Sequence, residues 1–286
     1  MQVGLVQLTS SDGPAANLPV TEAMVREAAA SGAELVLTPE VTNFVSASRT
    51  RQDEVLKTEA EDPTLARLRA VAAETGIWLS IGSLALREPI EGDDRFVNRQ
   101  FLVAPDGSIA ARYDKIHMFD VEIGGEESYR ESAGYRPGTR AVVADTSFAR
   151  LGLSICYDMR FPALYRALAE AGAQILLAPA AFTVPTGRAH WEVLLRARAI
   201  ETGSFVLSAA QTGRHAASRG RARETWGHSI AIAPWGEILA EAGVAPGVTL
   251  ATLDLAAVAA ARHRVPALSN ARSFAAPKME PNKLTA

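Results

Sequence analysis

Runs of strand length recur along this chain in which almost every residue is apolar, and segments with helical spacing separate many of them. A strand with one wet face alternates apolar and polar residues. A strand with no polar positions has to be covered on both faces. Residues 2–8, 34–38, 78–86 and 97–104 read this way in the first half, and 150–156, 174–179, 204–210, 228–233 and 248–254 in the second. Helical spacing falls at 18–31, 62–76, 162–171 and 188–201, with Pro63 in a first turn and Gly32, Gly76 and Gly172 as stops. In the last of these segments Trp191, Leu194, Leu195 and Ile200 are expected to share one face. Pro105-Asp106-Gly107 and Pro234-Trp235-Gly236 mark hairpins.

The two halves echo each other. The stretch 30–39 (ASGAELVLTP) resembles 170–179 (EAGAQILLAP), and 103–107 (VAPDG) resembles 232–236 (IAPWG). The expectation is a pseudo-two-fold α/β structure in which two sheets pack face to face with helices outside. No linker-like stretch interrupts the middle, so residues 1–286 are expected to form a single domain, with a Pro-, Asn- and Lys-rich tail from about 266.

With 29 basic and 32 acidic residues the net charge is −3, which gives no electrostatic reason to expect nucleic acid or a membrane surface. The N-terminus lacks a basic leader, and no apolar run approaches a membrane span, so a cytoplasmic protein is expected. The single cysteine forbids an internal disulfide, in keeping with a reducing compartment. The five histidines show no metal-ligand spacing, and no metal is expected.

Three residues stand where chemistry could be placed. Glu40 ends the run Leu35-Val36-Leu37-Thr38-Pro39, and the carboxyl ends of strands are where α/β sheets bind ligands. Lys115 follows the first hairpin, in Asp114-Lys115-Ile116-His117. Cys156 ends an apolar run and opens a polar turn, Tyr157-Asp158-Met159-Arg160. Each also has an ordinary explanation: a solvated loop glutamate, a lysine paired with Asp114 or Asp120, a small buried hydrophobe. A lysine beside the thiol would favour the thiolate, which should then react with iodoacetamide well below pH 8.

Taken together, Thr38-Pro39-Glu40, Asp114–His117 and the stretch 154–162 (SICYDMRFP) resemble, in order, the Glu-Lys-Cys signatures of the carbon–nitrogen hydrolase (nitrilase) superfamily, over about residues 3–265. The resemblance implies a four-layer αββα sandwich. It implies Cys156 as nucleophile, Glu40 as general base, Lys115 as electrostatic stabiliser and the Tyr157 N–H as part of an oxyanion hole. A second glutamate would map to Glu131, with Glu126 and Glu127 as competitors. No cofactor is implied.

The stretches 156–162, 181–183 and 186–201 look like the small Nit-type amidases of that superfamily. This implies an anionic small-molecule amide, hydrolysed through a thioester with ammonia released. The candidate substrates are deaminated glutathione, which the stretch 209–215 (AAQTGRH) favours, and α-ketoglutaramate or α-ketosuccinamate. Arg160, Arg188 and Arg214 are candidates for binding carboxylates, with Phe182 beside them. Relatives associate as dimers or larger assemblies. An inactive interaction module on the same fold is the competing class.

Overall fold

The computed structural model describes residues 1–124 and 127–277. The first half contains β1 (Gln2–Gln7), α1 (Pro14–Ala30), β2 (Leu35–Leu37), α2 (Arg49–Val55), α3 (Pro63–Thr75), β3 (Trp78–Leu86), β4 (Val97–Val103) and β5 (Ile109–Asp114). A ribbon of β6 (Asp120–Gly124) and β7 (Glu127–Arg130) follows. The second half contains β8 (Val142–Asp145), β9 (Arg150–Leu153), α4 (Pro162–Glu170), β10 (Ile175–Leu177), α5 (Val184–Thr202) and β11 (Phe205–Ser208). A second ribbon, β12 (Thr212–Arg214) with β13 (Glu224–Trp226), precedes β14 (Ile230–Ile232), β15 (Ile238–Glu241), β16 (Gly247–Thr252) and α6 (Ala256–Arg264).

The strands form two six-stranded sheets, ordered β16-β1-β2-β3-β4-β5 and β8-β9-β10-β11-β14-β15. Three parallel strands lie inside each, β1-β2-β3 and β9-β10-β11. A hairpin continues each sheet on one side, β4-β5 and β14-β15, and one antiparallel strand flanks it on the other, β16 and β8. The two short sequence echoes are therefore equivalent parts of a repeated sheet: β2 matches β10, and the β4-β5 turn matches the β14-β15 turn. The repeat extends to packing. Gly4 pairs with Val36 in one sheet, and Gly152 pairs with Leu176 in the other. A Cβ on Gly4 would come within 2.8 Å of the Ala28 Cβ, and one on Gly152 within 3.1 Å of the Leu168 Cβ. Each glycine lets a helix lie close against its sheet.

Apolar residues are needed on both faces because each face meets a different layer. Val3, Leu5, Leu35 and Leu37 are fully buried in one cluster with Leu151, Leu153 and Leu177 of the other sheet. Val6 and Val36 point the opposite way, into a second cluster with Val25 of α1 and Leu68 of α3. The architecture is the αββα sandwich. Among the described residues no helix is long and apolar enough to cross a membrane.

Several expectations need correction. The apolar run at 150–156 is not all strand: pairing stops at Leu153, and a 3-10 helix begins at Cys156. Helix α1 starts at Pro14 rather than at 18, because proline suits a first turn. Ile200 leaves the buried stripe of α5 and is 54% exposed, whereas Trp191, Leu195 and Ala199 carry the buried face. The tail from 266 to 277 is largely exposed, and residues 278–286 lie outside the described residues.

Gly82, at a bulge in β3, holds together the loops that follow β2 and β10. Its N–H donates to Thr38 Oγ1 at 3.1 Å. A Cβ there would fall 1.9 Å from the Thr38 carbonyl oxygen and 2.5 Å from the Pro179 Cβ. Gly82→Ala should therefore lower the unfolding free energy by about 2–3 kcal/mol or more, read from urea midpoints. An unchanged midpoint would show that these loops yield freely.

Candidate active site

The loops after β2, β5, β9 and β10 converge on a cavity of about 490 Å³. Glu40, Lys115, Glu131 and Cys156 line it, and three of them are almost completely buried: Lys115 is 2% exposed, Glu40 4% and Cys156 6%. The structure brings together residues separated by up to 116 positions because each follows a central strand or an adjoining hairpin.

The ammonium of Lys115 organises the group. Its Nζ donates to Glu40 Oε1 at 2.8 Å and to the two Glu131 oxygens at 3.0 and 2.9 Å. Asn98 Nδ2 donates to Glu40 Oε1 at 2.9 Å, and the Ala181 N–H to Glu40 Oε2 at 2.9 Å. The Phe119 N–H donates to Glu131 Oε2 at 2.6 Å. The Cys156 thiol lies close to Glu40 and Ala181, which line the same cavity.

Cys156 itself has φ +48°, a left-handed conformation that non-glycine residues seldom adopt. The surrounding bonds over-determine it. Its N–H donates to the Pro179 carbonyl at 2.8 Å. The carboxylate of Asp158, fully buried, accepts from the Ile155 N–H at 2.8 Å, the His117 N–H at 3.0 Å and the Tyr113 hydroxyl at 2.6 Å, and meets His117 Nδ1 at 2.6 Å. The His117 ring stacks on Phe161 at 3.5 Å between centroids. Asp158 thus ties the cysteine turn to the lysine loop. Tyr157 lies in the first turn of that 3-10 helix, where backbone N–H groups have no acceptor within the helix itself.

Charge follows from these contacts. Burial works to raise Glu40, but Lys115 overcomes it and holds the carboxyl below its usual range. Burial works to lower Lys115, and Glu131 and Glu40 overcome it, so the amine stays protonated. For Cys156, burial and then Glu40 push the thiol well up, and Lys115 only partly opposes them. The expectation that Lys115 would hold a thiolate is therefore corrected. One ammonium that already faces two carboxylates offsets only part of the cost of a negative charge on the sulfur. The resting group is a neutral thiol beside a carboxylate able to take its proton.

Residues 2–263 match the family model described as Carbon-nitrogen hydrolase. The chain belongs to the carbon–nitrogen hydrolase family. It is 39% identical to the deaminated glutathione amidase of Yersinia enterocolitica, over 98% of this chain and 97% of the relative. It is 40% identical to that of Mus musculus, over 94% and 83%. Among solved structures, the NitFhit protein of Caenorhabditis elegans superposes with a TM-score of 0.86 at 36% identity, covering 95% of this chain and 65% of that one. Nit3 of Saccharomyces cerevisiae, a nitrilase-superfamily member, gives 0.81 at 29% identity, covering 93% and 94%. This carbon–nitrogen hydrolase is an amidase.

The other expected site residues divide. Phe182 lines the cavity. Arg160 is not among the lining residues: its guanidinium lies over the Phe182 ring at 5.3 Å and beside His190 Nδ1 at 3.3 Å. Arg188 and Arg214 are exposed and away from the cavity lining. Of the competing glutamates, Glu126 lies outside the described residues, and Glu127 is the first residue of β7.

Sequence reasoning missed Asn98, Asp158 and Arg223. Asn98 and Gln100 are buried polar residues two apart in an apolar strand, and that period was a usable signal. Arg223 sits in an arginine-rich loop with nothing to distinguish it from Arg219 or Arg221.

The neutral thiol makes the alkylation expectation testable in its corrected form. The iodoacetamide rate at Cys156 should still be rising with pH above 8, and a plateau reached near pH 6 would restore the thiolate.

His215, from the 209–215 stretch, gives a second test. Its Nδ1 faces the Ser10 carbonyl at 2.7 Å, which makes Nδ1 the donor, and Nε2 accepts from the Thr225 hydroxyl at 2.7 Å. Burial lowers its pKa to about 4. A depressed histidine pKa contributes stability that is present above about pH 6.5 and lost as pH falls toward 4, here about 2–3 kcal/mol. His215→Gln should thus be less stable than the native chain at pH 7, with the gap closing toward pH 4.5 in urea unfolding. A gap independent of pH would show that the ring does not titrate this way.

Proposed function

We propose that this amidase hydrolyses deaminated glutathione through a thioester on Cys156, in a single catalytic unit built from both sheets. The observation that carries the mechanism is the Glu40 carboxylate, bonded to Lys115 and within reach of the Cys156 thiol in one buried cluster. The substrate rests on the relatives that bear this name at 39–40% identity over nearly the whole chain.

As the sulfur attacks the amide carbon, Glu40 takes the thiol proton. The carbonyl oxygen becomes an oxyanion facing Lys115 Nζ and the Tyr157 N–H. Glu40 passes its proton to the amide nitrogen, the C–N bond breaks and the amine departs, leaving a thioester. Water then gives a proton to Glu40 and its oxygen to the acyl carbon. Collapse of the second tetrahedral intermediate releases the acid, and Glu40 returns the proton to sulfur. Glu131 acts as a positioning residue that keeps Lys115 charged and in place.

The leaving group needs one correction. Both amide nitrogens of deaminated glutathione are substituted, so its hydrolysis releases an amine, cysteinylglycine, together with 2-oxoglutarate. Ammonia would come only from primary amides such as α-ketoglutaramate.

The reading includes self-association, supported by exposed apolar residues Val193 and Ile200 on α5 and Trp235 in the β14-β15 turn, whose Gly236 lies against Ile200. It also includes a reducing, cytoplasmic setting, which suits an unpaired catalytic thiol.

Cys156→Ala should lower kcat on deaminated glutathione at least about 10³-fold while leaving the unfolding midpoint nearly unchanged. Mass spectrometry of the quenched native enzyme should find a 2-oxoglutaryl adduct on Cys156. Substantial turnover by the alanine variant, or release of cysteinylglycine with no adduct, would overturn the mechanism. A kcat/KM favouring α-ketoglutaramate would overturn the substrate.

A further inference from the structure

The charge of the site is incomplete for an anionic substrate. Glu40 and Glu131 bring two negative charges and Lys115 one positive, so a substrate carboxylate entering the cavity meets net repulsion unless another cation receives it. Three arginines line the cavity: Arg49, Arg130 and Arg223.

Two of them are already engaged. Arg49 donates to the Gly134 and Asp94 carbonyls and pairs with Asp53 at 3.5 Å. Arg130 pairs with Glu122 at 2.6 Å and donates to the Tyr129 carbonyl. Arg223 differs. Among the described residues no carboxylate forms an ion pair with it, although its charge helps to hold the Glu40 carboxyl down. One Nη donates to the Ala181 carbonyl, and its Nε is buried with no acceptor. The guanidinium lies 5.6 Å from the centroid of the Tyr129 ring. Its backbone is fixed as well, since the Arg223 carbonyl accepts from the His215 N–H at 2.9 Å.

The position of this guanidinium is set by Ala181. The N–H of that residue faces Glu40 and the thiol, and its carbonyl holds Arg223. The free edge of the guanidinium is thus roughly 6 Å from the N–H that faces the sulfur. In an amide whose acyl chain has five carbons and ends in a carboxylate, the carboxylate carbon lies about 5 Å from the carbonyl under attack when extended. A chain of this length keeps the terminal carboxylate inside the cavity that Cys156 and Arg223 both line.

We infer that Arg223 binds the carboxylate that ends the acyl half of the substrate, and so selects amides of short dicarboxylic acids. This deepens the proposed function and rests on its reading of Cys156 as the attacking group. It assigns a specificity-determining residue from a loop whose sequence singles out no position. It also explains how a site that already holds two carboxylates accepts a third: the new one is received by a cation that the Ala181 carbonyl holds in place.

The test compares glutaramate with pentanamide, which has the same five-carbon chain without the carboxylate, on the native enzyme, Arg223→Gln and Arg223→Lys. The native enzyme should prefer glutaramate. Arg223→Gln should lower kcat/KM for glutaramate about 30–100-fold, mainly through KM, while changing pentanamide less than about threefold. Arg223→Lys should recover part of the loss. Protection of Cys156 from iodoacetamide by glutarate gives a readout independent of turnover, and Arg223→Gln should abolish it. Equal losses on both amides, or protection that survives the substitution, would overturn the assignment. Deaminated glutathione is assayed in parallel. A native enzyme that ignores it but keeps an Arg223-dependent preference for glutaramate overturns only the substrate reading. One that cleaves it equally well with and without Arg223 overturns only the arginine assignment.

Discussion

A buried ammonium shared between two carboxylates is the interaction on which the rest of this site depends. Lys115, Glu40 and Glu131 are drawn from three loops, and each charge is tolerable in the interior only because the others are there. Removing one partner of such a buried set typically destabilises by about 3–5 kcal/mol, since it leaves the remaining charge uncompensated. The same arrangement sets the chemistry. Glu40 is held ionised, Lys115 is held cationic, and the thiol is held neutral.

Around that cluster the fold supplies rigidity rather than further charge. The fully buried Asp158 collects four polar contacts from the cysteine turn and the lysine loop, so the strained backbone at Cys156 cannot relax without breaking them. Gln211 plays a similar part on the other side, donating to Ser10 Oγ and to the Glu40 carbonyl. The duplicated sheets give these loops a common frame. Equivalent strands end at the same level, and β2 and β10 deliver Glu40 and Ala181 to the same carboxylate–amide hydrogen bond.

Glu40, Lys115 and Cys156 each sit at a discontinuity, where an apolar run or hairpin meets a polar residue, but in the sequence only the resemblance of their three motifs to a known family joined them into one site. The repeated architecture was legible because two ten-residue stretches kept the same pattern. Asp158 was visible only as one polar residue of a turn, and its role depends on Tyr113 and His117 from another segment. The expected arginines failed for a related reason. Arg160 and Arg188 lie near the cysteine or Phe182 in sequence, but Arg160 packs on Phe182 and His190 without lining the cavity, and Arg188 is exposed and outside the lining.

The sequence by itself determined the layers, since strands without a polar face must be covered on both sides, and it determined which residue types could do chemistry at strand ends. The tertiary structure alone decided how those residues interact. Whether Cys156 is thiol or thiolate depends on how many carboxylates surround Lys115. Which arginine can receive an anion depends on which guanidinium lacks a carboxylate partner. Both are sums over charges distant in the chain, and no local pattern encodes them.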